Sequence, residues 1–469
     1  MPEYRSGSLV DLLEKLLWCG FLVILFSCSF VFGGYATRDW LMFSGVFYLW
    51  FSIYLLIVGL GAKANYRALK AARVCIGLLL FSLVWLYFQM TLPFSHAFYG
   101  ALSELSLVSQ VAPPSWFRPE AVWSVTPSRT QWLLLSESLF FCMFLSVLAI
   151  VHSRQRLRIL LIMILIVGVV HSAIGLVSKT AGLVLVDIKE LDGHFSAARG
   201  LFVNRNHFGG FVVICLFGGI GWQLRFFSKY AGVKAKEMVI AQFTGFYLWA
   251  FVAIAFGMIA VISSESRAAS FSIIVAFVLV ITLTKRDDKV LGPKFLSVIV
   301  IIGAMLLLYF GQELLARIVK DGFSLGERWE QWKFTLAAIG DNPLFGYGGG
   351  SYSTVFQSYR HGDDFRQVVY AQSHNYYLHL WLERGLIGLT VWVALLFTLL
   401  KHAYHHSMAH RSSLVRSSMG AALIIIVASM IQSMVDYNLQ MLTIRSYFMV
   451  LLALVLAAPE VEHRVRSHK

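Results

Sequence analysis

Ser373-His374-Asn375 stands immediately before an apolar run that begins at Tyr376, so an imidazole opens a helix. The positive end of the helix dipole disfavours imidazolium there, which keeps the ring neutral near pH 7 and able to take a proton from a hydroxyl. Two further helix entrances carry basic groups, Asn204-Arg205-Asn206-His207 and Ser264-Glu265-Ser266-Arg267. A cation beside a positive dipole is unfavourable by about 0.3 to 1 kcal/mol in surface settings. Its recurrence points to an anion that these groups share. Phosphate or diphosphate fits, because helix N-termini with Ser or Asn caps present N–H donors and arginine adds a bidentate fork.

Each of these residues also has a structural explanation that spacing leaves open. Arg199 and Arg205 suit interfacial anchoring as well as anion binding. Arg267 can pair with Glu265, and Arg328 with Glu327 or Glu330 on its own helix. Asp436 is equally suited to orienting His374 and to an ion pair with Arg445, while Glu383 has Arg384 beside it. Glu137 and His171 are intramembrane ionisable groups that either line a cavity or are satisfied in the core.

The elements that must position these groups follow from composition. With 58% apolar and 14% charged residues over 469, the chain is an all-α polytopic membrane protein, a single transmembrane domain over residues 1–469. Continuous apolar runs of about 17 to 25 residues suit helices crossing the bilayer and disfavour a β-barrel, whose strands alternate. They fall near residues 15–33, 40–61, 74–92, 131–151, 158–177, 207–224, 239–262, 268–284, 295–311, 376–400, 417–435 and 440–458, about twelve spans. The even-to-odd loops hold the Lys and Arg clusters, for example Lys63, Arg67, Lys70 and Arg73, or Arg225, Lys229, Lys234 and Lys236. The excess of positive charge in these loops makes them cytoplasmic, and both termini with them. The net charge of +14 is mostly this topogenic charge, which argues against a nucleic-acid partner.

Three outer loops result, residues 93–130, 178–205 and 312–373. The first holds Ala112 to Phe117 and Trp123, suited to a cap at the membrane interface. In the longest, Trp329, Trp332, Leu336 and Ile339 share one helical face and Arg328, Gln331 and Thr335 another, as in a short helix on the outer surface, apolar face down. Asp341-Asn342-Pro343 ends it. Gly346 to Gly350 then form a turn where backbone, at Gly348 for instance, can approach a ligand closely. No Gly-Lys-Ser/Thr follows, which excludes a P-loop.

No cofactor or metal is indicated. Cys19, Cys28, Cys75, Cys142 and Cys215 all lie in apolar spans without CxxC spacing. His402, His405, His406 and His410 sit in a basic inner loop without a carboxylate, and Asp363-Asp364 reads as a solvated turn.

Ser264 to Arg267, Gly326 to Trp329, Asn342 to Gly348, Ser373 to Leu378, Glu383 to Leu389 and Val435 to Gln440, in this order, resemble the O-antigen ligase and polymerase superfamily of bacterial inner membranes, glycosyltransferases of the GT-C type. Arg199 to Phe208 is similar to that family's motif ahead of a central span. The resemblance covers the chain from about residue 195 onward. It implies a metal-independent, inverting transfer of a glycan from undecaprenyl diphosphate, at the periplasmic face, to lipid A core or to a growing lipid-linked glycan. It further implies that Arg267 and Arg328 grip the diphosphate and that His374 activates or orients the acceptor hydroxyl. Arg199, Asn204, Arg205, Asn206, Asn375, Gly348 and Asp436 are the expected substrate-binding groups around them. The competing class is a lipid-linked glycan flippase, which requires polar sites near the midplane and on both faces.

Overall fold

The computed structural model describes residues 8–31, 37–92, 122–183, 197–230, 233–243, 245–283, 327–359, 371–410 and 412–466, with residues 312, 316 and 319 individually. Among them the chain forms helices α1 (Ser8–Cys28), α2 (Thr37–Gly59), α3 (Tyr66–Ala71), α4 (Arg73–Thr91), α5 (Pro127–Ile150), α6 (Arg154–Ala181), α7 (Arg205–Cys215), α8 (Phe217–Lys229), α9 (Ala235–Gln242), α10 (Gly245–Ser263), α11 (Arg267–Leu283), α12 (Glu327–Asp341), α13 (Tyr352–Tyr359), α14 (Tyr376–Ala409), α15 (Ser413–Gln432) and α16 (Leu442–Arg466). No β-strand occurs among the described residues.

Nine helical stretches in the described residues are long and apolar enough to cross a membrane: Arg38–Gly59, Arg73–Thr91, Pro127–Ile150, Arg154–Ala181, Arg205–Lys229, Gly245–Ser263, Tyr376–Ala409, Ser413–Gln432 and Leu442–Val461. The difference from about twelve expected spans has local causes. Helix α1 covers the first expected run but begins early enough to include Asp11, Glu14 and Lys15. Helix α11 is described over 17 residues, Arg267–Leu283, and is shorter than the nine. The run at 295–311 lies outside the described residues, as do Ala112 to Phe117 and Asp363-Asp364.

Helix α16 is the axis of the bundle. From Leu442 to Val461 it is predominantly apolar on all sides, and its apolar window is fully buried among α1, α3, α5, α6, α7, α14 and α15. One charged group enters this core from the first turn of α16, Arg445. It donates to Glu137 Oε2 at 2.6 Å, and Arg384 of α14 donates to the other carboxylate oxygen, so α5, α14 and α16 meet at one buried ion triad. The Arg445 guanidinium also lies 4.7 Å from the Phe140 ring centroid. Paired and stacked, such charges persist in an apolar interior.

Helix α14 is broken. Gly385 has φ 66° and ψ −176°, which only glycine adopts readily, and the break frees backbone groups on either side of it. The loop after α12 fills the gap: Tyr347 N–H donates to Leu382 O at 3.0 Å, Gly348 N–H to Glu383 O at 2.9 Å, and Leu386 N–H to Pro343 O at 2.8 Å. Freed polar backbone at membrane depth is tolerated where other protein groups satisfy it in this way. From α4, Gln89 donates to Phe345 O at 2.7 Å and Trp85 to Arg384 O at 2.9 Å, fixing loop and break together.

Helix α12 begins and ends near the expected limits. Gln331 and Thr335 are buried against the protein, while Trp329 and Leu336 are exposed on the other side. Ile339 departs from the expected outward face; it packs with Ala338, Tyr347, Tyr352 and Leu382. The loop that fills the α14 break therefore takes the last turn of α12 into its own small core.

Candidate active site

The short connection between α15 and α16, residues 433–441, is the hub at which distant segments meet. Gln432 Nε2 donates to Asn206 O at 3.0 Å, holding the entrance of α7. The Tyr376 N–H donates to Ser433 O at 2.9 Å and Asp436 O at 3.2 Å, holding the entrance of α14. Arg328 of α12 donates to Val435 O at 2.6 Å. Each of these three entrances carried a candidate residue in the sequence, and each is tied to residues 432–436, the end of α15 and the start of the connection.

Local capping explains why His374 sits where it does. Asn375 accepts the N–H groups of Tyr377 and Leu378, both at 3.0 Å, which starts α14. Ser373 Oγ donates to Asn375 O at 2.6 Å, and Trp332 Nε1 donates to Ser373 O at 2.9 Å. His374 is thus bracketed on both sides and held at φ 49°, a left-handed conformation that non-glycine residues rarely adopt.

The Asp436 carboxylate is fully buried. Its Oδ1 accepts the Tyr437 N–H at 2.8 Å and lies 3.5 Å from His207 Nε2 and 4.0 Å from His374 Nδ1. Burial acts to raise the Asp436 carboxyl. The bond and charge of His207 with the charges of Arg328 and His374 outweigh this and bring it to about 2. For His374, burial is the largest influence and lowers the ring; Asp436 opposes it, Arg328 and His207 add to it, and the net value is about 4. The imidazole is therefore neutral near pH 7, chiefly through desolvation.

A second charged group adjoins the first. Glu265, at φ 54° and buried, receives Arg205 Nη1 at 3.0 Å and lies 3.9 Å from Lys179 Nζ. Arg199 faces the same carboxylate: burial lowers its guanidinium from the ordinary value and Glu265 opposes that shift. Arg267 opens α11 two residues beyond Glu265, where Ala269 packs on the first turn of α7 at Gly209. Since Arg205 reaches Glu265 and His207 reaches Asp436, one turn of α7 connects both clusters.

His374, Arg328 and Asp436 are thus gathered at the hub, and Arg199 and Arg205 around Glu265, with Arg267 two residues further along the chain at the start of α11. Asn204 accepts the Asn206 N–H at 2.8 Å and, like Asn375, caps its helix. Asn206 gives its carbonyl to Gln432. Gly348 stands apart: with φ 96°, its missing Cβ leaves room for Ser124, which presses on its backbone. The open pairings of the acidic groups also resolve. Glu330 pairs with Lys333 at 2.8 Å, Glu383 with His379 at 3.1 Å, and Arg445 with Glu137. His207, Lys179 and Glu265 were not singled out as site residues from the sequence. His207 could have been, since it follows Asn204 in the first turn of its helix much as His374 precedes the first turn of its own.

Among the described residues no group of three or more His, Cys, Asp or Glu side chains is disposed to hold a metal ion. His171 is enclosed by the rings of Phe30, Phe202 and Phe211 at 5.1 to 5.8 Å between centroids, with neither ring nitrogen hydrogen-bonded.

A stretch of 77 residues, 16% of the chain, is 30% identical to an uncharacterised protein of Haemophilus influenzae, of which it spans 19%. The family model described as O-antigen ligase matches residues 249–393, a stretch that includes Ser264 to Arg267, all of α12, the loop filling the α14 break, and His374. Over this stretch, residues 249–393, the chain is similar to the O-antigen ligase family, which supports its resemblance to the O-antigen ligase and polymerase superfamily.

Proposed function

We propose that the chain is a glycosyltransferase that moves a glycan from undecaprenyl diphosphate to an acceptor sugar at the periplasmic face of a bacterial inner membrane. The observation that carries this is a neutral imidazole backed by a buried carboxylate and flanked by Arg328, beside the clustered guanidinium groups of Arg199 and Arg205. Arg267, at the same entrance group, completes the anion-binding set.

In this mechanism His374 keeps Nδ1 toward Asp436 and uses Nε2 to accept the acceptor's hydroxyl proton. The acceptor oxygen forms a bond to the anomeric carbon as the bond from that carbon to the diphosphate oxygen breaks, with inversion. Arg267 and Arg328 stabilise the negative charge that develops on the departing lipid diphosphate, as fixed cations in a poorly hydrated site do effectively. Arg199 and Arg205 steer the same anion, and no metal is needed for charge neutralisation. The acceptor is lipid A core or a growing lipid-linked glycan. The periplasmic orientation rests on the Lys and Arg clusters of the opposite loops.

Purified protein given an undecaprenyl diphosphate glycan and each acceptor in turn, with and without chelator, tests this. A ladder of products identifies a polymerase and a capped core identifies a ligase. Movement of intact lipid-linked glycan across proteoliposome membranes without any transfer favours the flippase instead, and loss of transfer with chelator removes the metal-free mechanism.

A further inference from the structure

Asp436 faces two imidazoles, and the two differ in access. The His374 side chain is 27% exposed, whereas that of His207 is 5% exposed and that of Asp436 not at all. Both imidazoles approach the same oxygen, Oδ1, and both rings meet the edge or face of Tyr437, with centroids 4.8 and 5.0 Å from it. Among the described residues His207 Nε2 is buried without a fully formed hydrogen bond, and the acceptor it faces is Asp436 Oδ1 at 3.5 Å. Its helix is held in place by Gln432, which bonds the carbonyl of the preceding residue.

We propose that His207 is a positioning residue that divides the Asp436 carboxylate with His374 and thereby keeps His374 a neutral base; this rests on the proposed role of His374 toward the acceptor hydroxyl. A buried carboxylate serving one imidazole alone draws a proton onto it, and imidazolium cannot accept another. The groups facing His374 are Asp436 and Tyr437 from the hub, Arg328 from α12 and His207 from α7. Asp436 favours imidazolium; Arg328 and His207 disfavour it. With a proton on Nε2, His207 donates toward Oδ1 and takes up part of its capacity as an acceptor, as the Tyr437 N–H does.

During transfer the hydroxyl proton passes to His374 Nε2 while the new carbon–oxygen bond forms and the bond to diphosphate breaks. The imidazolium is then compensated by Asp436 through Nδ1–H until its proton leaves to water. His207 takes no part in the proton transfer and touches no substrate.

The test compares the full-length protein with His207→Phe, which removes the donor, and His207→Gln, which retains an N–H. The pH dependence of His374 modification by diethyl pyrocarbonate, read by peptide mass spectrometry, requires no substrate. The midpoint is expected to rise by about one pH unit in the Phe variant and to return toward wild type in the Gln variant. The acid limb of transfer activity is expected to move the same way, with kcat affected more than KM. Should the Phe variant not fold, His207→Asn, too short to reach Oδ1, takes its place. An unchanged His374 midpoint in a folded Phe or Asn variant overturns the proposal. A wild-type protein that transfers no glycan overturns the proposed function instead, while the modification arm still decides whether His207 and His374 are coupled.

Discussion

Arg445 donates to Glu137 Oε2 at 2.6 Å, and because this pair forms inside the bundle, Asp436 is left to face His374 and His207. Sequence spacing alone assigned Asp436 to Arg445 or to His374 with equal ease. The choice between them separates an acid held in a structural ion pair from one that faces His374. The buried Glu137, with two guanidinium partners, makes the second assignment possible.

Glu137→Gln removes the charge that both Arg384 and Arg445 require. Breaking a buried ion pair by removing one partner typically destabilises by about 3 to 5 kcal/mol. Thermal unfolding in detergent is expected to show a large loss of stability, with little folded protein recovered. A variant as stable as wild type contradicts a structural role for the triad.

Gly385→Ala introduces a Cβ into the backbone of Leu344 and Phe345 at a residue whose φ is 66°. The break in α14 cannot then accept the loop that satisfies it. The expected outcome is loss of monodisperse protein on size exclusion. Gly340→Ala, where a Cβ meets nothing within 4 Å, is the matched control and is expected to behave as wild type.

Arg267→Ala and Arg328→Ala should differ in kind. Both are expected to reduce transfer by about 100- to 1,000-fold through lost charge stabilisation. Arg328 also holds Val435 of the hub, so its loss is expected to lower the unfolding temperature as well, by an amount in keeping with a charged hydrogen bond worth about 1.5 to 3 kcal/mol. Measuring kcat, KM and thermal unfolding on both variants separates the two effects.

The pH dependence has a definite sign. The His374 ring falls from its ordinary 6.5 to about 4 in the folded chain, so the unfolded chain binds more protons between these values. Stability from this group is complete above pH 6.5 and is lost as pH falls through about 4. Asp436, brought from 3.8 to about 2, contributes stability above pH 3.8 that is lost as pH falls through about 2. Both act in the same direction. Transfer activity is expected to hold from pH 7 to about 5 and to fall off near 4, checked by a pH–rate profile alongside unfolding at each pH.

Much of the fold was legible because membrane helices write themselves as continuous apolar runs, and several entrances were legible from their caps, Asn204 before α7 and Asn375 before α14. The break in α14 was not. Apolar residues continue on both sides of Gly385, and the groups that satisfy it come from Pro343 to Gly348, some forty residues earlier in the chain. Ion-pair partners were illegible for the same reason: Glu137 lies 247 residues from Arg384 and 308 from Arg445. The neutrality of His374 was expected from the helix dipole. The structure supplies a larger cause, burial, which no local pattern encodes. His207 lay in a quoted motif, yet its partner Asp436 is 229 residues away, which can be known only from the fold.

The most direct measurement is single-turnover transfer from an undecaprenyl diphosphate glycan by wild type and by His374→Ala, with binding of the lipid diphosphate followed on the same samples. The account predicts transfer by wild type, and in the variant retained binding with transfer reduced by about 100- to 10,000-fold. Undiminished transfer by folded His374→Ala protein would contradict it.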